Sequence, residues 1–388
     1  MVRGADGTGV RAWCNDGAGT PVLVCNGLGA PPAAWPRIVA DDSGYRVVTW
    51  YQRGLGGSQR PADRSRVRIE DHADDARAVL DAFGMPSAAV VGWSLGVNVA
   101  FELALEDPAR VRAWCNDGSG TPVLVCNGLG APPAAWPPRI IARDSGYRVV
   151  TWYQRGLGGS QRPADRSRVR IEDHADDARA VLDAFEMPSA TVVGWSLGVN
   201  VAFELALEDP ARVRAVLAVA GIPGGSYSSL FATLRVPRPL RAPMGRLGSR
   251  LLPVVGPLLP LVAASLPPWY DLLLPAAMRG PAKEAVHPGP LRAVLHEFSR
   301  HDWAWFRYLA DAVAQHAPLD VSTVRCPVTF LAGRYDSLVD VADVRAAARS
   351  VPGARLREMA GTHFLPLQYP QVMLEELRRL APPRGEPD

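Results

Sequence analysis

Short apolar runs alternate with amphipathic stretches along most of the chain. PVLVCNG (122–128), YRVVTWY (147–153) and ATVVGW (190–195) are nearly continuous apolar runs. Runs of this length, without in/out alternation, suit strands buried on both faces of a parallel sheet. IEDHADDARAVLDAF (171–185) opens acidic and then spaces Ala, Val and Leu at helical intervals. That order predicts a helix whose N-terminal dipole end is complemented by carboxylates. VNVAFELALEDPARV returns to helical spacing, and RAVLAVAG (214–221), CPVTFLAG (326–333) and ARLREMAG (354–361) extend the strand series. The alternation predicts an α/β fold with a doubly wound, mostly parallel sheet. Residues 223–318 break it: this stretch is rich in Pro and Arg, is helical in pattern, and predicts an inserted cap.

An internal repeat organises the first half. Arg11–Ala113 recurs as Arg112–Ala215 with one inserted proline and five substitutions: Ala18/Ser119, Val39/Ile141, Asp41/Arg143, Gly84/Glu186 and Ala89/Thr191. The unit is too long for a solenoid repeat and points to tandem duplication. Val-Arg-Ala stands at 10–12, 111–113 and 213–215, so recombination at that triplet accounts for the chain. The expected organisation is an incomplete copy of the N-terminal half of the fold at 1–111, followed by a complete domain at 112–388 with its cap at about 223–318. In that reading the strand ending at Trp93 has no partner of its own, and its exposed edge invites self-association.

Composition narrows the chemistry. Of 388 residues 48% are apolar and 21% charged, and the net charge of +3 is spread without a basic stripe, so no nucleic-acid partner is expected. Lys283 is the one lysine, which removes a P-loop and leaves little room for Schiff-base chemistry. The N-terminus has no apolar signal segment, and prolines interrupt the apolar stretch Leu251–Leu266, so a cytoplasmic protein without stable membrane insertion is expected. Cys14, Cys25, Cys115, Cys126 and Cys326 show no metal-ligand spacing.

The sharpest motif is GWSLG, at 92–96 and 194–198. A serine hydroxyl becomes a useful nucleophile when a strained turn presents it to a base, and here each copy has a strand before it and a helix after it. With FLAGRYD and GTHFLP downstream, the chain resembles the α/β-hydrolase superfamily from Arg112 to the C-terminus. The resemblance implies a triad of Ser196, Asp336 and His363, with Asp340 the alternative acid and Ser94 the alternative nucleophile. It also implies an oxyanion hole made by the backbone N–H groups of Leu129 and Leu197, or of Leu28 and Leu95 in the first copy. Asn127 stands where the family often has histidine, and Gln154 opens a YQRGLGGS loop whose first polar residue is often acidic; that loop is expected to be structural. Two other patterns are weaker. EDHADD (172–177) suits a solvated acidic first turn better than a metal site, and GLGGSQ lacks the third glycine of a dinucleotide fingerprint. No cofactor and no metal are implied.

Serine at the elbow favours acyl transfer to water, on a carboxylic ester, thioester or lactone, over the aspartate-based branches of the superfamily. Trp303, Trp305, Phe306 and Tyr308 in the cap suit an apolar small-molecule substrate, or equally a core of the cap itself. Arg235, Arg238, Arg241, Arg246 and Arg250 suit a solvated basic face better than a lid on anionic lipid. A cofactor-free perhydrolase or haloperoxidase would use the same triad, and a non-catalytic binding protein could use the same fold. With one Asp336 and one His363, one site can form per chain. Ser196 is favoured over Ser94, because using the first copy closes an extra loop of about 102 residues at a cost on the order of 4 kcal/mol. Against this, Met1–Val10 precedes the first copy alone and is expected to supply a first strand.

Overall fold

The computed structural model describes residues 1–388 apart from 16, 18, 36–43, 107–110, 116–119, 132–134, 137–145, 159, 259–297, 300 and 384–388. Thirteen strands lie among the described residues. In chain order they are β1 (Val2–Arg3), β2 (Gly9–Val10), β3 (Ala12–Cys14), β4 (Thr20–Cys25), β5 (Tyr45–Trp50), β6 (Ala88–Gly92) and β7 (Val111–Cys115). Then come β8 (Thr121–Cys126), β9 (Tyr147–Trp152), β10 (Ala190–Trp195), β11 (Val213–Val219), β12 (Val328–Gly333) and β13 (Arg355–Met359). The main helices are α1 (Ile69–Ala82), α2 (Leu95–Glu106), α3 (Ile171–Ala184), α4 (Leu197–Glu208), α5 (Arg238–Val255), α6 (Trp303–Gln315), α7 (Val341–Ser350), α8 (Leu365–Gln368) and α9 (Pro370–Leu380).

Eleven strands form one sheet in the order β13-β12-β11-β10-β8-β9-β7-β6-β4-β5-β3. Pairing is parallel throughout except at β3–β5 and β7–β9. The largely apolar runs expected to be buried on both faces are so: every residue of β10 and of β12 is buried. Helices α3 and α4 pack against each other, as α1 and α2 do in the first copy. The backbone N–H of Arg170 donates to Asp173 Oδ2 (3.0 Å), which starts α3 and occupies one of the acidic residues of EDHADD. Asp177 of the same motif takes hydrogen bonds from Arg155 at 3.1, 2.8 and 2.7 Å.

The expected free edge beyond β6 does not exist. β7 pairs with β6 in parallel, Ala88 with Val111 and Ala89 with Ala113. The same register, with the same slip after the first pair, joins β10 to β11. On its other side β7 pairs antiparallel with β9, Ala113 with Trp152 and Cys115 with Val150. That register repeats the pairing of β3 with β5, Ala12 with Trp50 and Cys14 with Val48. One strand thus serves as the last strand of the first copy and the first strand of the second. The double role follows from sequence, because Val111-Arg112-Ala113 matches the start of β11 while Arg112–Cys115 matches Arg11–Cys14. The sheet therefore runs unbroken across the boundary placed at 111/112.

Two smaller expectations also change. Met1–Val10 adds no strand to the large sheet: β1 and β2 form a separate antiparallel pair. The cap arginines are not uniformly solvated, since Arg241 is buried and paired with Asp340 (2.9 Å), and Arg238 is paired with Asp343. The cap is helical where described, in α5 and α6, and His287, His296 and Lys283 lie outside the described residues. Among the described residues, no helix is long and apolar enough to cross a membrane. Cys25, Cys126 and Cys326 are free thiols, and burial pushes those of Cys25 and Cys126 well up from the ordinary value.

Candidate active site

Ser196 sits on the turn between β10 and α4, with φ 56° and ψ −115°. A residue with a side chain held there costs on the order of 1–3 kcal/mol, so neighbouring structure must impose it. The flanking glycines show how. A Cβ at Gly194 or Gly198 would collide with the carbonyl oxygen of Gly198 or Cys126 respectively, so the turn closes tightly only with glycine at both places. The Ser196 N–H donates to Val219 O (2.9 Å), tying the elbow to β11.

Asp336 and His363 come from loops after β12 and β13. Asp336 Oδ1 accepts from the backbone N–H groups of Leu338 (2.8 Å) and Val339 (2.9 Å), leaving Oδ2 to meet His363 Nδ1 at 2.8 Å. Both residues are buried, at 3% and 6% exposure. The His363 carbonyl accepts from Trp195 Nε1 (2.9 Å), and the Trp195 and His363 rings lie 5.8 Å apart, so the histidine loop is fixed to the strand that carries the serine. Asp340, the alternative acid, is engaged elsewhere: it caps α7 by accepting from the Ala342 N–H (2.9 Å) and pairs with Arg241.

Ser196 and His363 line one cavity of about 320 Å³. Leu129 and Leu197, whose N–H groups the sequence nominates for an oxyanion hole, line it as well. Leu197 is the first residue of α4, where helical N–H groups have no partner within the helix and the dipole favours negative charge. Tyr227, Leu230, Phe298 and Phe306 form the cap side of the cavity. Among the described lining residues none carries a full charge other than, when protonated, His363. The cap aromatics divide between the two readings left open: Phe306 faces the cavity, while Trp303 and Trp305 are buried in a cluster with Leu157 and Leu309.

The loop at 127–130 is held by residues whose roles were not legible from the motif. Gln154 Nε2 donates to the carbonyls of Asn127 (3.1 Å) and Gly128 (2.9 Å), and its Oε1 accepts from the Gly130 N–H (3.0 Å). Gly128 C=O and Leu129 N–H belong to one trans peptide, so a bond to the former turns the latter the opposite way. Asn127 donates to Thr151 Oγ1 (2.8 Å) and Trp152 O (2.7 Å), and accepts from Trp136 Nε1 (2.6 Å). The YQRGLGGS loop supports the site as well as the fold.

The alpha/beta hydrolase fold family model matches this chain over residues 20–119 and again over 121–368. The chain belongs to that family. Among curated α/β-hydrolase relatives, a protein of Variovorax paradoxus (strain S110) with the provisional name carbamate hydrolase RutD is 40% identical over 101 residues, 26% of this chain and 38% of its own length. The 2-hydroxymuconate semialdehyde hydrolase of Pseudomonas sp. (strain CF600) is 36% identical over 129 residues, 32% of this chain and 45% of that protein. The chain therefore spans less than half the length of these relatives. The solved structure of the enol-lactonase from Burkholderia xenovorans LB400 aligns with a TM-score of 0.53 at 18% identity, covering 68% of this chain and 92% of that one, which shows a shared fold. The family description and the names of these curated relatives are both those of hydrolases.

Proposed function

We propose that this α/β hydrolase cleaves carboxylic esters, thioesters or lactones with a neutral, apolar acyl group, using Ser196, His363 and Asp336. The observation that carries the reading is the 2.8 Å hydrogen bond between Asp336 and His363 beside a cavity shared by His363 and Ser196. In the proposed reaction Ser196 Oγ forms a bond to the acyl carbon while His363 Nε2 takes its proton. The carbonyl π pair moves onto oxygen, which the N–H groups of Leu129 and Leu197 receive. Collapse expels the alkoxide, thiolate or ring oxygen, which recovers the proton from His363. Water then repeats the sequence on the acyl-enzyme and releases the acid. Asp336 accepts from Nδ1–H throughout, which fixes the tautomer with Nε2 as base.

The uncharged lining supports the substrate class, because a carboxylate-bearing acyl group would enter without a countercharge among the described residues. The volume, at the low end for ligand cavities, favours a short acyl chain or a single ring. A panel of p-nitrophenyl esters of increasing chain length tests the reading. Turnover that peaks at short apolar acyl groups and is lost in His363→Ala by about 10³-fold or more is expected. Full turnover in that variant, or a preference for dicarboxylate monoesters, would overturn it.

A further inference from the structure

We propose that His301, carried by the cap, is a positioning residue for the oxyanion loop, so that seating of the cap sets the geometry of the hole. The inference rests on the ester-hydrolase reading for its kinetic consequence, though not for its structural one. His301 Nε2 lies 2.8 Å from the carbonyl oxygen of Gly130, the residue after Leu129. A carbonyl only accepts, so the ring nitrogen donates and His301 carries its proton on Nε2. The ring stacks on Phe306 (centroids 5.5 Å, planes 25° apart) and meets Phe298 edge-on at 5.4 Å. Both of these phenylalanines line the substrate cavity. The donor therefore stands between the wall that touches the acyl group and the loop that receives the oxyanion.

The chain supplies its own control. In the first copy Gln52 donates to the carbonyls of Asn26 (2.7 Å) and Gly27 (3.0 Å), Trp35 donates to Asn26 (2.8 Å), and the Gly29 N–H reaches Gln52 (3.2 Å). That loop has the internal braces of the second copy, and no described cap residue approaches Gly29. There Leu28 is 71% exposed, and a Cβ at Gly29 would meet nothing within 4 Å. In the second copy a Cβ at Gly130 would run into His301 at 2.7 Å and Phe306 at 2.6 Å. Gly130, at φ +68°, is thus the place where the cap closes onto the loop. The next residues of the cap extend the seam. Asp302 pairs with Arg162 (2.7 Å), and Trp305 Nε1 donates to the carbonyl of Arg155 (2.8 Å).

The test compares His301→Phe, which keeps the stacking ring and loses the donor, with His301→Gln, whose Nε2 can reach a similar place. Each full-length variant is assayed for kcat and KM on a short-chain p-nitrophenyl ester, for affinity toward phenylboronic acid, and for amide exchange at 127–131. Peptic fragments running through Ile141 separate this segment from its near-identical first copy. The proposal expects His301→Phe to lower kcat and boronate affinity by about tenfold with KM little changed, and to speed exchange at 127–131 but not at 26–30. His301→Gln should recover most of both. Unchanged exchange and kcat in His301→Phe, or equal loss in both variants, would overturn it. If the native protein turned over no ester, the functional reading would fail, and the exchange data alone would decide the role of His301.

Discussion

The two copies of the repeat have almost the same sequence and different consequences. Each builds the same strained elbow: Ser94 and Ser196 both sit at φ 56°. Each braces its glycine loop with the same Asn, Gln and Trp. Ser94, however, is exposed, whereas Ser196 shares a cavity with His363 and lies beneath cap residues. Local sequence therefore produces the elbow, and topology decides which elbow lies beside His363. What adjoins the glycine-rich loop also differs. In the first copy Arg53 is buried, bonded bidentately to Asp75 (2.7 and 2.9 Å) and to Asp6 of the N-terminal segment. In the second, the carbonyl of the matching Arg155 receives Trp305 of the cap.

The sharpest way to break this comparison is to exchange the serines. Ser196→Ala should lower kcat by about 10³-fold or more, while Ser94→Ala leaves it within experimental error on the same ester. Equal effects would mean that the copies compete for Asp336 and His363. A second way removes the competition. Deleting Trp114–Ala215 joins Ala113 to Val216, so that β7 continues as β11 and Ser94 faces the acid and base. The shortened chain should hydrolyse the same esters and carry its phosphonate label on Ser94.

The glycines give a smaller contrast. Gly29→Ala and Gly130→Ala both force a side chain to positive φ, at a cost of about 1–2 kcal/mol. Gly130→Ala must also displace His301 and Phe306, so its melting temperature should fall further and its kcat should fall with it.

A pH effect separates further residues. Burial, with Arg53 nearby, holds His72 below the ordinary histidine value, and burial does the same to His301 against a weaker opposing bond to Gly130. Folding therefore favours their neutral forms. The stability they contribute is present above about 6.5 and is lost as pH falls from there through their folded values. His301→Gln should flatten the decline of melting temperature between pH 7.5 and 5, and an unchanged decline would remove His301 from that account.

The smallest expected effect comes from one of the five differences between the copies. Gly84 at φ 63° ends α1, while its counterpart Glu186 at φ 51° takes the same left-handed position after α3. Glu186→Gly should stabilise the protein by about 1 kcal/mol or less, read as a higher urea midpoint.

Much of this was legible in the sequence because it depends on local pattern. The strands at 190–195 and 328–333 are legible because almost all their residues are apolar, and the resemblance to the α/β-hydrolase superfamily nominates Asp336 and His363 by their place after such runs. The double role of Val111–Cys115 was not legible, although its sequence matches two other strands, because pairing on both sides is a property of the assembled sheet. Gln154 and Asn127 act on groups about 25 positions away in the chain, and identical residues occur in both copies, so the pattern could not mark one pair as functional. His301 was one of several cap histidines, and only its 2.8 Å approach to Gly130 sets it apart.

The central claim, that the second copy alone forms a working site, is tested most directly by labelling the full-length protein with an alkyl phosphonate and mapping the adduct. Trypsin releases Ser94 within residues 78–110 and Ser196 within 180–212, and these peptides differ in mass through Gly84/Glu186 and Ala89/Thr191. The account predicts an adduct on the 180–212 peptide, abolished by Ser196→Ala or by His363→Ala. An adduct on 78–110, or one distributed equally between the two, would contradict it.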